Sequence, residues 1–474
     1  MVFSSPLFLF LFLPLFLLGY YPLPRRMRIP WILFGSWAFY GLWRLDFLVL
    51  LIGVSALNYA TGLWLHRSSS ETRRKGIIAF AVAANLLILG YFKYANFGIE
   101  RFNAVLKSLG IPGIQFGMVI LPVGISFYIF QAMSYSIDVF RRDAPPAESF
   151  VELSAYIALF PQLIAGPIVR YKDLSDQLLE PHVIPGRLAR GIRRFLFGFA
   201  KKVLLADSLA GLVDGAFALG APTVMDSWIG LSAYALQLYL DFAAYSDMAI
   251  GLGLMLGFRF RENFRQPYHS ISITEFWQRW HISLSTWLRD YLYIPLGGNR
   301  VSAGRTRVNL LLVMLLGGLW HGAAWTFVLW GLWHGSILLL ERLDQQKWGI
   351  QRWITSYPAG KLFFHFRTCI LVLIGWALFR ASDFTSAMRI IGGMFGIHGL
   401  ALSPGFAWQL APGEFLVLIA AVLFVAFEPK IAPLFIRKGI KGRLFLGITS
   451  GGLFTLAVIK LIADSYSPFL YFQF

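Results

Sequence analysis

Two Trp-His-Gly triplets, Trp320-His321-Gly322 and Trp333-His334-Gly335, lie inside one apolar stretch running from about Leu310 to Leu340. An ionisable side chain at membrane depth is costly, so it is retained for proton transfer, ion binding or hydrogen bonding between helices. Apolar surroundings favour the neutral imidazole, whose bare nitrogen accepts a proton near working pH. Gly317, Gly318, Gly322, Gly331 and Gly335 accompany the histidines and permit bending or close approach of a second segment or a substrate. On an unbroken helix His321 and His334 would point about 140° apart, so the two take different roles. His321, in the more glycine-rich part, is the catalytic candidate, and His334 is the structural one. A rod of about 31 apolar residues is roughly 45 Å long against a hydrocarbon core of roughly 30 Å. A break is therefore expected near Gly317-Gly318 or Gly331.

A second polar run, Ile273 to Tyr291, carries His281, Ser285, Arg289 and Asp290 among Trp277, Trp280 and Trp287. Serine or threonine ahead of a glutamate marks a helix start, with Ser272 or Thr274 as the cap. On one helix His281, Ser285 and Arg289 span only about 80° of a face, which would line one wall of a cavity with imidazole, hydroxyl and guanidinium. An amphipathic helix lying in the membrane interface, anchored by its tryptophans, fits the same pattern. Arg289 with Asp290 reads as a structural staple before it reads as an anion site. Trp320, Ser285, Arg289, Asp290 and Tyr291 complete the candidates for supporting or substrate-binding roles.

The elements that must position these residues are transmembrane helices. Of the 474 residues 57% are hydrophobic and 14% charged, with mean hydropathy +0.63, against roughly 45–50% and about 25% in soluble domains. Apolar runs long enough to cross hydrocarbon recur near 2–24, 29–64, 76–97, 116–139, 150–170, 195–219, 227–258, 308–340, 363–380, 413–428 and 444–463. The expected fold is an all-α polytopic bundle of about 11 spans plus re-entrant or interfacial helices, forming one integral domain over residues 1–474. The single cysteine, Cys369, excludes an intramolecular disulfide framework and a cysteine-rich metal site, and no metal or tightly bound cofactor is expected.

The net charge of +18 does not signal nucleic acid, because the charges fall in short clusters rather than on one continuous basic surface. These are Arg25, Arg26 and Arg28; Arg67, Arg73, Arg74 and Lys75; Arg187, Arg190, Arg193, Arg194, Lys201 and Lys202; Arg259, Arg261 and Arg265; and Lys430, Arg437, Lys438, Lys441 and Arg443. Such clusters are expected in cytoplasmic loops facing anionic lipid. The stretch 29–64 then crosses out and back, turning near Trp43-Arg44-Leu45-Asp46, and the N-terminus is extracytoplasmic. Residues 1–24 lack a basic start and a small-residue cleavage site, so they read as a retained helix.

The blocks Leu121–Tyr128, Phe160–Pro167, Tyr239–Gly257, Glu275–Arg300 and Leu315–Gly335, with the closing run Phe469–Phe474, resemble the membrane-bound O-acyltransferases. Within them the likeness is to bacterial O-acetyltransferases of exopolysaccharides of the alginate or cellulose type. The resemblance covers nearly the whole chain. It implies helices around a central catalytic tunnel in the inner membrane, a donor entering from the cytoplasm and an exopolysaccharide or periplasmic acetyl-accepting protein on the other side. The family's essential histidine falls on His321 and its second characteristic histidine on His281. Acetyl-coenzyme A is the simplest donor, although relatives that use a carrier-protein thioester leave that choice open.

The residues suit that chemistry. Acetyl transfer to a hydroxyl needs a base for the hydroxyl proton and donors for the tetrahedral oxyanion. His321 takes the first role, and His281 acts as a supporting donor or acid. No Gly-x-Ser-x-Gly elbow is present, which favours direct transfer over a covalent acyl-enzyme, with an acyl-histidine as the alternative left open. The alternative is a transporter or proton-coupled flippase using His281 and His321 as a relay, but neither histidine block has the second copy expected of repeated halves.

Overall fold

The computed structural model describes residues 2–179, 181–410, 412–431, 440–464 and 469–470, and among them it contains helices and no strand. Among the described residues, five helices are long and apolar enough to cross a membrane: Leu45–Arg67, Glu71–Ser108, Pro358–Arg380, Pro412–Lys430 and Leu444–Ala463. The helices gather into two compact units, one of residues 1–195 with 248–261, the other of residues 196–247 with 262–474.

In the first unit, α1 (Arg25–Gly41), α2 (Leu45–Arg67), α3 (Glu71–Ser108), α4 (Ile125–Arg141) and α5 (Phe150–Ala158) are the main helices. The turn expected near Trp43-Arg44-Leu45-Asp46 is present, where α1 ends at Gly41 and α2 begins at Leu45. Where no hydrophobic force acts between helices in lipid, buried polar groups join them. Asn58 of α2 and Asn85 of α3 exchange amide hydrogen bonds of 3.1 and 3.0 Å, and Ser136 of α4 donates to Asn58 at 2.8 Å.

The second unit holds both histidine blocks. Its helices include the N-terminal part of α6 (Val224–Leu256), up to residue 247, then α7 (Ile273–Arg279), α8 (Ile282–Leu288), α9 (Ala303–His321), α10 (Trp325–Leu343), α11 (Pro358–Arg380) and α12 (Pro412–Ile431). α9 and α10 form a hairpin whose inner faces meet at glycines. A Cβ on Gly318 would strike the Phe327 carbonyl, and one on Gly331 would strike the Met314 carbonyl. Backbone cannot yield as a flexible side chain can, so only glycine permits this approach.

Arg259, Arg261 and Arg265 lie in the non-helical connection between Leu256 and Pro267, as expected of a loop cluster, but other clusters depart from that expectation. Arg25, Arg26 and Arg28 lie at the start of α1, Arg73, Arg74 and Lys75 at the start of α3, and Arg187 to Lys201 on the helix Pro185–Lys201. Arg74 is buried and donates to the carbonyls of Leu65 and Phe140, satisfying helix-end acceptors. Lys202 is buried between Asp207 at 2.6 Å and Asp241 at 2.8 Å, and Lys201 pairs with Asp247. Short-range clustering in the sequence cannot separate a loop cation from one that a distant carboxylate neutralises. Arg437 and Lys438 lie outside the described residues, as do Tyr471 to Phe474 of the closing run.

Candidate active site

The long apolar stretch does break, but at Gly322-Ala323-Ala324 instead of Gly317-Gly318 or Gly331. His321 is therefore the last residue of α9, at the tip of the hairpin, and Gly318 and Gly331 serve packing. Phe327, in the first turn of α10, folds back over Gly322 so closely that a Cβ there would overlap its ring. That contact requires glycine directly after the histidine and fixes the direction in which the chain turns.

The second block also departs from a single helix. α7 stops at Arg279, and His281 adopts left-handed backbone at φ 44°, ψ 53° as the N-cap of α8. A non-glycine residue held there costs on the order of 1 kcal/mol and persists only where its surroundings impose it. Here they do. Asn263 Oδ1 accepts from the Ser283 backbone N–H at 3.2 Å and from Ser283 Oγ at 2.9 Å, and lies 3.2 Å from His281 Nδ1. Asn263 is fixed in turn by its own amide donating to Ser246 Oγ at 3.0 Å and by its carbonyl accepting from Ile282 N at 2.9 Å.

His281 Nδ1 lies within reach of Asn263 Oδ1, the Ser283 hydroxyl at 3.4 Å and the Leu284 N–H, and the first and last make opposite demands. Protonated, it donates to Asn263 Oδ1; bare, it accepts from Leu284 N at 3.4 Å. The same scaffold thus accommodates both tautomers, so Nε2 is presented either with or without its proton. That versatility suits a group that must hold or release a proton during a reaction.

His281 and His321 line one narrow cavity with Leu238, Phe242, Trp280, Trp330, Trp376 and Phe379. The Trp320 ring lies 6.2 Å from that of His281 and 4.9 Å from that of His321. Phe242 meets His281 edge-on at 4.7 Å, and Phe379 meets His321 edge-on at 4.9 Å. The space left holds about a single water molecule, much narrower than the tunnel implied by the sequence. Both imidazoles are buried. An oxyanion in such apolar surroundings is stabilised strongly by any hydrogen bond aimed at it, because little water competes.

His334 does not line this cavity. It packs against Trp277 and Trp330 at 5.3 and 5.1 Å, and His321 also meets Trp330, at 5.2 Å. The remaining sequence candidates scatter. Ser285 Oγ turns to the Trp280 carbonyl at 3.4 Å, Tyr291 stacks on Trp287 at 5.1 Å, and Arg289 is largely exposed with Asp290 at 2.7 Å. The shared face expected for His281, Ser285 and Arg289 is not formed: His281 is the left-handed N-cap of α8, and Arg289 opens a π-helical turn after it.

Three residues that the sequence did not single out complete the arrangement. Asn263 and Ser283 hold the His281 turn. Glu341, buried on α10, accepts from the backbone N–H groups of Ile273 and Thr274 at 2.8 and 2.9 Å and from Thr274 Oγ1 at 2.8 Å, with Arg367 at 2.8 Å. This carboxylate holds the start of α7, whose far end leads into His281. Ser272 caps α7 as the sequence signalled, its Oγ accepting from the Glu275 backbone N–H at 3.0 Å, and the Glu275 carboxylate accepts from the Ile271 backbone N–H at 2.9 Å.

A family model described as MBOAT, membrane-bound O-acyltransferase family, matches residues 139–378, which include His281, His321 and His334. The chain is 46% identical to the probable alginate O-acetylase AlgI of Pseudomonas putida over the whole of both chains. It is 35% identical to the peptidoglycan O-acetyltransferase of Helicobacter pylori over 85% of this chain and 81% of that protein. Similarity extends to the teichoic acid D-alanyltransferase of Bacillus subtilis, at 27% identity over 65% of this chain and 86% of that one. The chain belongs to the membrane-bound O-acyltransferase family and is a membrane-embedded O-acyltransferase.

Proposed function

We propose that this protein moves an acetyl group from a cytoplasmic thioester, with acetyl-coenzyme A as the simplest donor, across the inner membrane for O-acetylation of an exported polysaccharide. The observation that carries the residue assignment is that two histidines from different helix turns, His281 and His321, meet at one dry aromatic cavity. The O-acetyltransferase names of relatives that match this chain along most or all of its length support acetyl as the group. An alginate-type polymer is the first acceptor to examine, either directly or through a periplasmic acetyl-accepting protein. The N-terminus is placed outside the cytoplasm on the charge pattern alone.

In this reading the neutral His321 imidazole removes the hydroxyl proton as the oxygen attacks the thioester carbonyl. The carbon–oxygen ester bond forms, the carbon–sulfur bond breaks, and the proton passes from His321 to the departing thiolate. His281, in its Nε2–H tautomer, donates to the carbonyl oxygen while it carries negative charge. The lining needs only a slight adjustment to admit the acetyl methyl group, so the narrow cavity is read as the resting arrangement.

Replacing His321 with alanine in cells that export the acceptor tests the assignment. Ester on the polymer should fall below detection while the amount of folded protein in the membrane stays the same. Undiminished acetylation would remove His321 as the base. Labelled acetyl should appear in ester linkage, whereas movement of polymer without bond formation would favour the flippase.

A further inference from the structure

Two of the residues that line the cavity with the imidazoles, Phe379 and Leu238, are purely hydrocarbon. Phe379, from α11, lies edge-on to His321 at 4.9 Å and is itself held by Phe327 at 5.1 Å, Trp330 at 5.5 Å and Trp376 at 5.6 Å. Leu238, from α6, lines the same cavity, and both side chains are buried. Neither bears a polar atom that could hold a proton, an oxyanion or a hydroxyl. Trp376, by contrast, is tied down by its indole N–H donating to Tyr268 Oη at 3.1 Å, and Tyr268 donates to the Ala235 carbonyl at 2.7 Å. The rings around Phe379 are thus braced against retreat.

A carbonyl carbon that reaches His321 carries its alkyl group into this space. The cavity has room for about one water molecule, so a methyl group needs only slight adjustment of the wall. A propyl group would have to displace a braced ring. We propose that Phe379 and Leu238 set the length of the acyl chain transferred, admitting acetyl and excluding chains of four carbons. This rests on the reading of His321 as the base at which transfer occurs.

The test uses the full chain in cells that export its polymer. Wild type, Phe379→Leu, Phe379→Ala and Leu238→Ala are fed labelled acetate and butyrate, so that the cell makes the matching thioesters on whichever donor the protein uses. Intracellular acetyl and butyryl thioesters are measured alongside, and esters released from the polymer by mild alkali are identified by mass spectrometry. Wild type should transfer butyryl hardly at all relative to its thioester pool. At least one enlarged variant should raise the butyryl-to-acetyl ratio about tenfold or more, the scale on which an apolar pocket discriminates added methylenes. The proposal is overturned if wild type transfers both chains in proportion to their pools, or if the variants keep the wild-type ratio. It is equally overturned if all three variants lose every ester although folded protein remains in the membrane. His321→Ala in the same cells separates the two claims: retained esters there would refute the base assignment, and a ratio unchanged by the wall variants would refute only the size rule.

Discussion

The two turns that deliver the histidines are built in opposite ways. His321 ends a helix at a glycine-rich hairpin and is located by shape, with Gly318 against the Phe327 carbonyl, Gly322 under the Phe327 ring, and Phe379 and Trp330 closing on the imidazole. His281 sits on left-handed backbone and is located by hydrogen bonds that converge on Asn263 and by a carboxylate holding the helix before it. Shape tolerates loss of a polar group but not added bulk. A hydrogen-bonded turn tolerates bulk nearby but not loss of a polar partner. One site can thereby combine a fixed ring with a ring whose proton is exchangeable between nitrogens.

If that contrast is real, the largest loss should come from crowding the hairpin. Gly318→Leu forces a side chain into backbone and should cost about 3 kcal/mol or more, read as disappearance of folded protein extracted from the membrane. Next, Asn263→Ala should leave the protein folded yet reduce transfer about 100-fold, since it frees the His281 turn and a misplacement near 1 Å has that effect; a rate within twofold of wild type would show that Asn263 does not hold the ring. Glu341→Gln keeps one acceptor oxygen but weakens charge-assisted bonds to Ile273, Thr274 and Arg367, so thermal stability should drop by about 1–2 kcal/mol. The smallest change belongs to Arg289→Ala. Its guanidinium is mostly exposed, and an exposed pair contributes under about 1 kcal/mol, so activity should stay within about twofold.

The legibility of the site follows the same division. Local signals were readable: the membrane helices from apolar runs and the cap at Ser272 from its glutamate three residues on. The hairpin was foreseen as a break but misplaced, because all five glycines look alike in the sequence. Only the fold distinguishes those that let two backbones touch from the one beside which the helix ends. The interruption at Trp280-His281 had no glycine or proline to announce it. It is imposed by Asn263, a contact between residues far apart in the chain that no periodicity encodes. Glu341 escaped for the same reason, as a carboxylate in an apolar helix whose partners lie on another element. Lys201 and Lys202 read as loop charges because their carboxylates, Asp247, Asp207 and Asp241, are supplied by the fold.

The central claim is that the two histidines serve one acyl transfer at one cavity, and a double-mutant cycle addresses it directly. Transfer rates would be measured for His281→Ala, His321→Ala and the double variant at equal amounts of folded protein in the membrane, with a detection floor set by the uncatalysed reaction. Groups acting in a single step are strongly non-additive, so the double variant should be no slower than the worse single variant by more than about threefold. Losses that multiply in full would mean that the two imidazoles work independently and would contradict the shared site.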